Sequence, residues 1–371
     1  MAEKQTMQPH LQYIFRQTIC DAVGFYKQYW GMNFFELIAE LIQAQTNVPD
    51  SLTVAALKLK YLGYPDAALM MLKGTTDLGC HTQYSRYLTA ELLRELKRFE
   101  EARKLCSELQ HDFPDFDDVE SCLSMCDVDE LLNCRYDYYR ILNHAHKVLK
   151  PVCYIEIGVA SGKSLALART GTNTIGIDPL ITGTDGLFFL SPEVEPILFP
   201  MTSDDFFNTL NVSALLGEVA FDMAFIDGDH TFEQALADFI HLESLAGSSS
   251  VIFIHDCLPV NPRVAEKHRS TKFWCGDVWR LLPCLKELRP ELSITTFPVA
   301  PTGLAMITGL NPASRILHEQ SGAAIDRYST LPLPVCYAER CSLLNVSAGD
   351  PLRVLEEHLF NLETTLLLAA H

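Results

Sequence analysis

Tyr154-Ile155-Glu156-Ile157-Gly158-Val159-Ala160-Ser161-Gly162-Lys163-Ser164 is the stretch that decides the fold. A short apolar run ends in an acid, a glycine-bearing loop follows, and a helix is expected from the loop to about Gly171. Three nucleotide-binding patterns can be laid over it. A dinucleotide fingerprint needs glycines at 158, 160 and 163, and the chain has Gly158, Ala160 and Lys163. A phosphate-cradling Gly-x4-Gly-Lys-Ser loop needs glycine where Ile157 stands, so its ring of amide donors would not close. The third pattern asks for an acid at the strand end and glycines two and six positions later. Glu156, Gly158 and Gly162 meet it.

Outward from this loop, short apolar runs alternate with helical stretches, the texture of a parallel α/β sheet. Strands are expected at Val152–Ile157, Thr174–Ile177, Ile197–Phe199, Met223–Ile226, Val251–Ile254, Ile294–Phe297 and Leu304–Ile307. The last two read as a hairpin-like pair that supplies an antiparallel edge strand. The expected fold is therefore α/β, a doubly wound and mostly parallel seven-stranded sheet behind an all-α domain.

Upstream, from Leu11 to about Phe113, the pattern is helical; Leu37, Leu41 and Ile42 recur at helical spacing, as do Ala55, Ala56 and Leu59. Leu62-Gly63-Tyr64-Pro65-Asp66-Ala67-Ala68 and Leu96-Lys97-Arg98-Phe99-Glu100-Glu101-Ala102 match at an offset of 34 residues, the period of tetratricopeptide (TPR) helix pairs. An ordinary helical domain remains the other reading, because two copies are fewer than such arrays usually need. The aromatics Phe15, Phe25, Tyr26, Tyr29, Trp30, Phe34 and Phe35 fit either an acceptor pocket, a subunit contact or simple core. Three segments result: a helical domain over 1–125, the α/β domain over 126–310, and an extension over 311–371. The extension ends in a helix that Asp350 caps and Pro351 opens, with Leu352, Leu355, Leu359, Leu362 and Leu366 in a 3-4-3-4 stripe. The stripe can dock on the chain's own core or pair with a second copy, and a homo-oligomer is expected.

Composition narrows the partners. The 371 residues hold 29 Lys and Arg against 47 Asp and Glu, a net charge of −18, which repels phosphate backbones and anionic lipid. Nucleic acid and membrane are poor partners, and a small-molecule acceptor is expected instead. No apolar run approaches the ~20 residues of a membrane span. The polar N-terminus carries no secretory signal pattern, and the 12 cysteines show no framework spacing. A reducing, cytoplasmic setting is expected.

The acid–glycine–glycine pattern resembles the class I S-adenosylmethionine-dependent methyltransferases, a cofactor without phosphate that needs no anion cradle. The resemblance implies that Glu156, Gly158, Ala160, Ser161, Gly162 and Ser164 line the cofactor, with Glu156 accepting from its ammonium. Ala160 stands where the family more often has glycine. Asp178, closing the second strand in Ile177-Asp178-Pro179, would hold the ribose hydroxyls, though dinucleotide enzymes place an acid at a similar offset. Met201-Thr202-Ser203-Asp204-Asp205 resembles the adenine-side loop, with Ser203 and Asp204 near the base; a helix N-cap by either is an equal reading.

Phe225-Ile226-Asp227-Gly228-Asp229-His230-Thr231 is the most informative of the remaining segments, and Thr231 with Gln234 is expected to form a capping box. Asp227 and His230 fall at the carboxyl edge of the sheet beside the glycine loop, and the next strand brings His255 and Asp256 to the same edge. Carboxylates gathered there repel unless a cation or proton bridges them. Ile-Asp-Gly-Asp-His with a later His-Asp resembles the metal-dependent small-molecule O-methyltransferases, antibiotic-sugar enzymes among them and catechol methyltransferase more distantly. The resemblance implies metal ligation by Asp227 and Asp256, with Asp227 also near the cofactor, and a general-base role for His230. Those sugar enzymes carry Glu-Asp where this chain has His255-Asp256. An imidazole ligand at His255 suits Mn²⁺, Fe²⁺ or Zn²⁺ better than Mg²⁺, and a structural histidine is the competing reading. The stretch from Cys257 to Gly276, with Arg263, Lys267, His268, Arg269 and Lys272, reads as a binding loop or a plain surface loop. Trp279 is expected to pack on the sheet. The expected activity is methyl transfer to a hydroxyl of a small polar natural product, with S-adenosylmethionine and Mg²⁺ or Mn²⁺. N-methylation without metal, or a cofactor-binding scaffold, are the alternatives.

Overall fold

The computed structural model describes residues 53, 56–57, 59–60, 65–77, 82–116, 118–181, 195–217, 219–270 and 273–369. The early aromatics, Leu37 to Ile42, Ala55, Leu62 to Tyr64 and Lys272 lie outside them, as do the side chains of Leu366 and Leu367. The chain divides into two compact units, Met1–Cys126 and Asp127–His371.

In the first unit, α1 (Pro65–Asp77), α2 (Gln83–Glu95) and α3 (Phe99–Asp112) follow one another, and α4 (Asp118–Leu131) spans the division. α1 and α3 begin 34 positions apart, and the aligned residues Ala68 and Ala102 are both fully buried. Thr82 opens α2 with a reciprocal cap, accepting from Ser85 N while the Ser85 hydroxyl accepts from Thr82 N. Ala90, Cys106, Leu109, Val119 and Cys122 form one buried cluster between these helices.

The second unit is a seven-stranded sheet in the order β4-β3-β2-β5-β6-β9-β7, comprising β2 (Cys153–Ile157), β3 (Asn173–Ile177), β4 (Ile197–Phe199), β5 (Phe221–Ile226), β6 (Ala246–His255), β7 (Ser293–Phe297) and β9 (Leu304–Thr308). β2 pairs in parallel with β3 and β5, aligning Ile155 with Ile175 and with Ala224. All seven expected strands are present, within a few residues at their ends. The antiparallel strand is not at the edge, as the hairpin reading had it: β9 runs antiparallel between β6 and β7, so the edge strand β7 is parallel to the rest. A short parallel pair, β1 (Asn133–Asp137) with β8 (Val299–Ala300), was not legible, because Asn133-Cys134-Arg135-Tyr136-Asp137 has no apolar run.

The helices are α5 (Tyr138–Leu149), α6 (Ser203–Thr209), α7 (Val212–Leu215), α8 (Phe232–Ser244), α9 (Leu281–Leu288), α10 (Ile316–Tyr328), α11 (Tyr337–Leu343) and α12 (Pro351–Ala369). The helix expected after the glycine loop shrinks to one 3₁₀ turn, Leu165–Leu167. Returning along a five-residue strand takes about 11 helical residues, and only eight separate Ser164 from Asn173, so the chain crosses back through the 3₁₀ turn followed by a bend and a turn over 168–172. Asp350 caps α12 as expected, accepting from Leu352 N at 3.1 Å and Arg353 N at 3.3 Å. Leu355 and Leu359 are buried in the core that Tyr154, Phe225, Phe253 and Phe297 form, with Leu352 and Leu362 at its margin. Nine cysteines whose side chains are described are free thiols, and among the described residues no helix is long and apolar enough to cross a membrane.

Candidate active site

The ends of β2, β3, β5 and β6 point to one edge of the sheet and carry Glu156, Asp178, Asp227 and His255–Asp256 to it. Gly158 has φ +87°, and a Cβ there would lie 2.0 Å from the carbonyl oxygen of Asp227. Its missing side chain therefore lets β2 and β5 approach at their ends, a demand of the fold that precedes any cofactor.

Glu156 is buried within the loop it was expected to serve. The Tyr154 hydroxyl donates to Oε2 at 2.6 Å and the Ser164 hydroxyl to Oε1 at 2.7 Å. Burial pushes the Glu156 carboxyl up to about 8, against the pull of those two donors and with help from Asp227 and Asp178. Asp178 is likewise engaged, Oδ2 accepting from Ala160 N and Oδ1 from Leu180 N, each at 2.8 Å. The strand-end acid thus shapes the loop, whose residues Ala160 (φ +46°) and Gly162 (φ +78°) are left-handed. Ser161 sits half-buried in the turn. Lys163 leaves the phosphate-binding pattern entirely, its ammonium lying 4.0 Å from the centroid of the Tyr139 ring.

On the adenine-side loop, Thr202 is the N-cap of α6, accepting from Asp205 N at 3.1 Å; Ser203 and Asp204 are the first helical residues. The Gln234 amide nitrogen, with two protons to give, lies between Ser203 Oγ (3.2 Å), Asp204 Oδ1 (3.1 Å) and Asp238 Oδ1 (3.1 Å). That use of Gln234 explains why the capping box on α8 is only half formed: Thr231 accepts from Gln234 N, and the side chain that should return to the cap is occupied elsewhere.

Beyond β5 the chain turns sharply. His230 has φ +59°, and Asp256, just past β6, has φ +60°; both are strained for side-chain-bearing residues and both belong to the acid–histidine group. Gly276 (φ +66°) abuts this turn, where a Cβ would meet the His230 carbonyl oxygen at 1.8 Å. Asp277 fastens it, donating from its N to His230 O at 3.2 Å and accepting from Phe232 N at 2.8 Å.

One ligand atom each from Asp227, His230 and Asp256 lie within 4.8 Å of one another. His230 Nδ1 is 2.5 Å from Asp256 Oδ2, and His230 Nε2 is 3.8 Å from Asp227 Oδ1. Nδ1 and Oδ2 are both buried, and with the imidazole protonated they form a close ion pair. A cation held by both atoms at ~2.0–2.2 Å would take the place of the proton in that pair, and the two atoms would part slightly to admit it. Two carboxylates and an imidazole fit Mn²⁺, Fe²⁺ or Zn²⁺ better than Mg²⁺. Burial opposes charge on His230, yet Asp256, Asp227 and Asp229 outweigh it and hold the imidazole up to about 9. Burial would also raise Asp256, but His255, His230 and the Thr302 hydroxyl hold its carboxyl below the usual range.

The grouping differs from the sequence expectation in one exchange. His230, expected as the base, joins the donor group, and His255, read as either a ligand or a structural histidine, stands behind it. His255 Nδ1 is 3.0 Å from Asp227 Oδ1, its Nε2 is 3.3 Å from Thr302 Oγ1, and its ring stacks on Tyr138 at 3.9 Å. Asp229 turns aside to accept from the Thr231 hydroxyl at 3.0 Å. Three neighbours were missed in the sequence. Tyr138 lies behind His255, and Trp274 stacks on His230 with centroids 5.4 Å apart and planes 13° from parallel. Thr302 reaches the site from the turn before β9. None sits in a motif; Trp274, in the 257–276 loop, had the nearest signal. Trp279 is buried, in a 3₁₀ turn, Val278–Arg280.

Residues 155–257 match the family model of a methyltransferase domain. That stretch, which carries the glycine loop and the acid–histidine group, is a methyltransferase domain. Among solved structures the chain is similar to an O-methyltransferase from Bacillus cereus in complex with SAH, at 15% identity over 46% of this chain and 79% of that one, TM-score 0.35. It is similar too to an O-methyltransferase from Streptomyces achromogenes involved in tomaymycin synthesis, in complex with SAM, at 18% identity over 46% and 80%, TM-score 0.36. A third is an SAH-bound methyltransferase from Podospora anserina, at 16% over 59% and 87%, TM-score 0.33. No curated protein matches the chain.

Proposed function

We propose that the chain moves the methyl group of S-adenosylmethionine to a hydroxyl of a small polar molecule, a sugar or phenol of a natural product, with a divalent cation at Asp227, His230 and Asp256. The carrying observation is the grouping of Asp227, His230 and Asp256, with one ligand atom of each within 4.8 Å of the others, at the sheet edge beside the glycine loop. S-adenosylmethionine supplies the electrophilic methyl group. A cation bound there supplies charge that lowers the pKa of an acceptor hydroxyl.

This chain's residues do the rest by position. The loop from Gly158 to Ser164 and Asp178 form the cofactor side, and Ser203 and Asp204 the adenine side. Asp227 and Asp256, on adjacent parallel strands, set the acceptor side, and Trp274 covers the outer face of His230. Held near 9, His230 keeps its proton at neutral pH when no cation is present; it can ligate a cation, or accept a proton, only after losing that one.

The test is turnover on phenol and sugar acceptors with the protein chelated and then resupplied with Mn²⁺. Activity should vanish with chelation and return with Mn²⁺, and Asp256→Asn should lose it while keeping S-adenosylhomocysteine affinity. Full turnover by chelated protein would remove the cation from the reading.

A further inference from the structure

Behind the donor group runs a chain of polar contacts that the sequence does not announce. Thr302 lies in Pro301-Thr302-Gly303, between β8 and β9, and is buried. Its backbone is fixed to the segment just past Asp256: Leu258 N donates to Thr302 O at 2.7 Å. Gly303 (φ +73°) fits against Leu258 so closely that a Cβ there would stand 2.5 Å from the Leu258 Cβ. The Thr302 hydroxyl is thereby presented to Asp256 and His255 by backbone, without a flexible stem.

Hydrogen-bond directions follow from the donor inventory. The Thr302 hydroxyl has one proton and donates it to Asp256 Oδ1. Its contact with His255 Nε2, at 3.3 Å, therefore has Thr302 accepting. The other nitrogen, Nδ1 of the protonated ring, donates to Asp227 Oδ1 at 3.0 Å. Tyr138 closes the remaining face of the ring by stacking at 3.9 Å. His255 thus bridges from one carboxylate to the hydroxyl that holds the other.

We infer that Thr302 and His255 are positioning residues: the series Asp227–His255–Thr302–Asp256 fixes the orientation and spacing of the two carboxylates that face the cation. This rests on the cation reading of the same site. It also accounts for the imidazole at 255, which orients Asp227 from behind and adds no further negative charge to an already crowded edge. Without the Thr302 hydroxyl, Asp256 keeps its place in the chain but loses the contact that sets its rotamer, in a backbone conformation (φ +60°) that does not favour it. Outer-shell partners of this kind commonly change metal affinity by about 10–100-fold.

The experiment is titration of the full-length protein with Mn²⁺ alone, following free Mn²⁺ by electron paramagnetic resonance, with S-adenosylhomocysteine affinity by calorimetry as a second readout. Thr302→Val keeps the shape and removes the hydroxyl; Thr302→Ser restores it. The expected result is Mn²⁺ affinity at least tenfold weaker in Thr302→Val, recovered to within about threefold in Thr302→Ser, with S-adenosylhomocysteine affinity the same in all three. Wild-type Mn²⁺ affinity in folded Thr302→Val overturns the inference, as does a Thr302→Ser as weak as Thr302→Val. A parallel loss of S-adenosylhomocysteine binding also overturns it, showing general disturbance instead of positioning. If Thr302→Val does not fold, His255→Asn reads the same series from its other end, with the same expected fall and the same overturning result. A wild-type protein that takes up no Mn²⁺ refutes the cation reading itself, and the inference falls with it.

Discussion

Glu156→Gln tests how the glycine loop is held, and its effect can be worked out before the measurement. In the folded chain the carboxyl is fully buried between the Tyr154 and Ser164 hydroxyls, and burial raises it from 4.5 to about 8. In the unfolded chain it returns to its ordinary value. A carboxyl raised by folding binds its proton more tightly in the native state. Its contribution is therefore most favourable below the unfolded value of 4.5 and is lost progressively as pH rises through about 8. Between pH 5.5 and pH 9 the loss comes to roughly 3 kcal/mol for this one group. Glutamine has nearly the same shape and no proton to lose. The assay is urea unfolding of both proteins across that pH range, taken as a difference so that every other titrating group cancels. The variant should gain roughly 3 kcal/mol on the wild type from the acid to the alkaline end. Two curves that stay parallel would refute the reasoning, because Glu156 would then be ionised inside the fold at no cost.

Three further outcomes are expected. Because His230 stands near 9 without a cation, Mn²⁺ must displace its proton. Calorimetry in buffers of different ionisation enthalpy should show about one proton released per Mn²⁺ at pH 7, and affinity should rise about tenfold per pH unit up to 9; pH-independent binding would exclude His230 from the donor group. Gly158→Ala should lower stability by more than about 1 kcal/mol with no cofactor present, since the new Cβ meets the Asp227 carbonyl at 2.0 Å, and an unchanged melting temperature would contradict that. Leu355→Ala should cost about 2–5 kcal/mol as a core deletion, read by the same unfolding assay. Homo-oligomerisation is proposed still, now through a surface other than Leu355 and Leu359; light scattering that finds a monomer at micromolar concentration would end that proposal.

The parts of the fold that were legible are those whose signal is local. A parallel strand buried on both faces writes itself as an apolar run, which is why Ile155 to Ile157, Ile175 to Ile177 and Val251 to Ile254 could be placed from composition alone. Asp227, His230, Asp256 and His255 were legible for the same reason, since each ends or follows such a run and all strand ends of one sense meet at one edge. Their division of labour was not. Which histidine joins the two acids depends on two left-handed residues and on a threonine about 45 positions downstream. Thr302 reaches Asp256 only because β9 turns antiparallel and pairs with β6, placing Leu304 opposite His255. The insertion of β9 beside β6, which the sequence suggested only as an edge feature, is thus what completes the back of the site. A hydroxyl carried on that hairpin can fix an acid on β6 more firmly than one from a loop could, because the backbone bond from Leu258 to Thr302 and the β6–β9 ladder move as one piece.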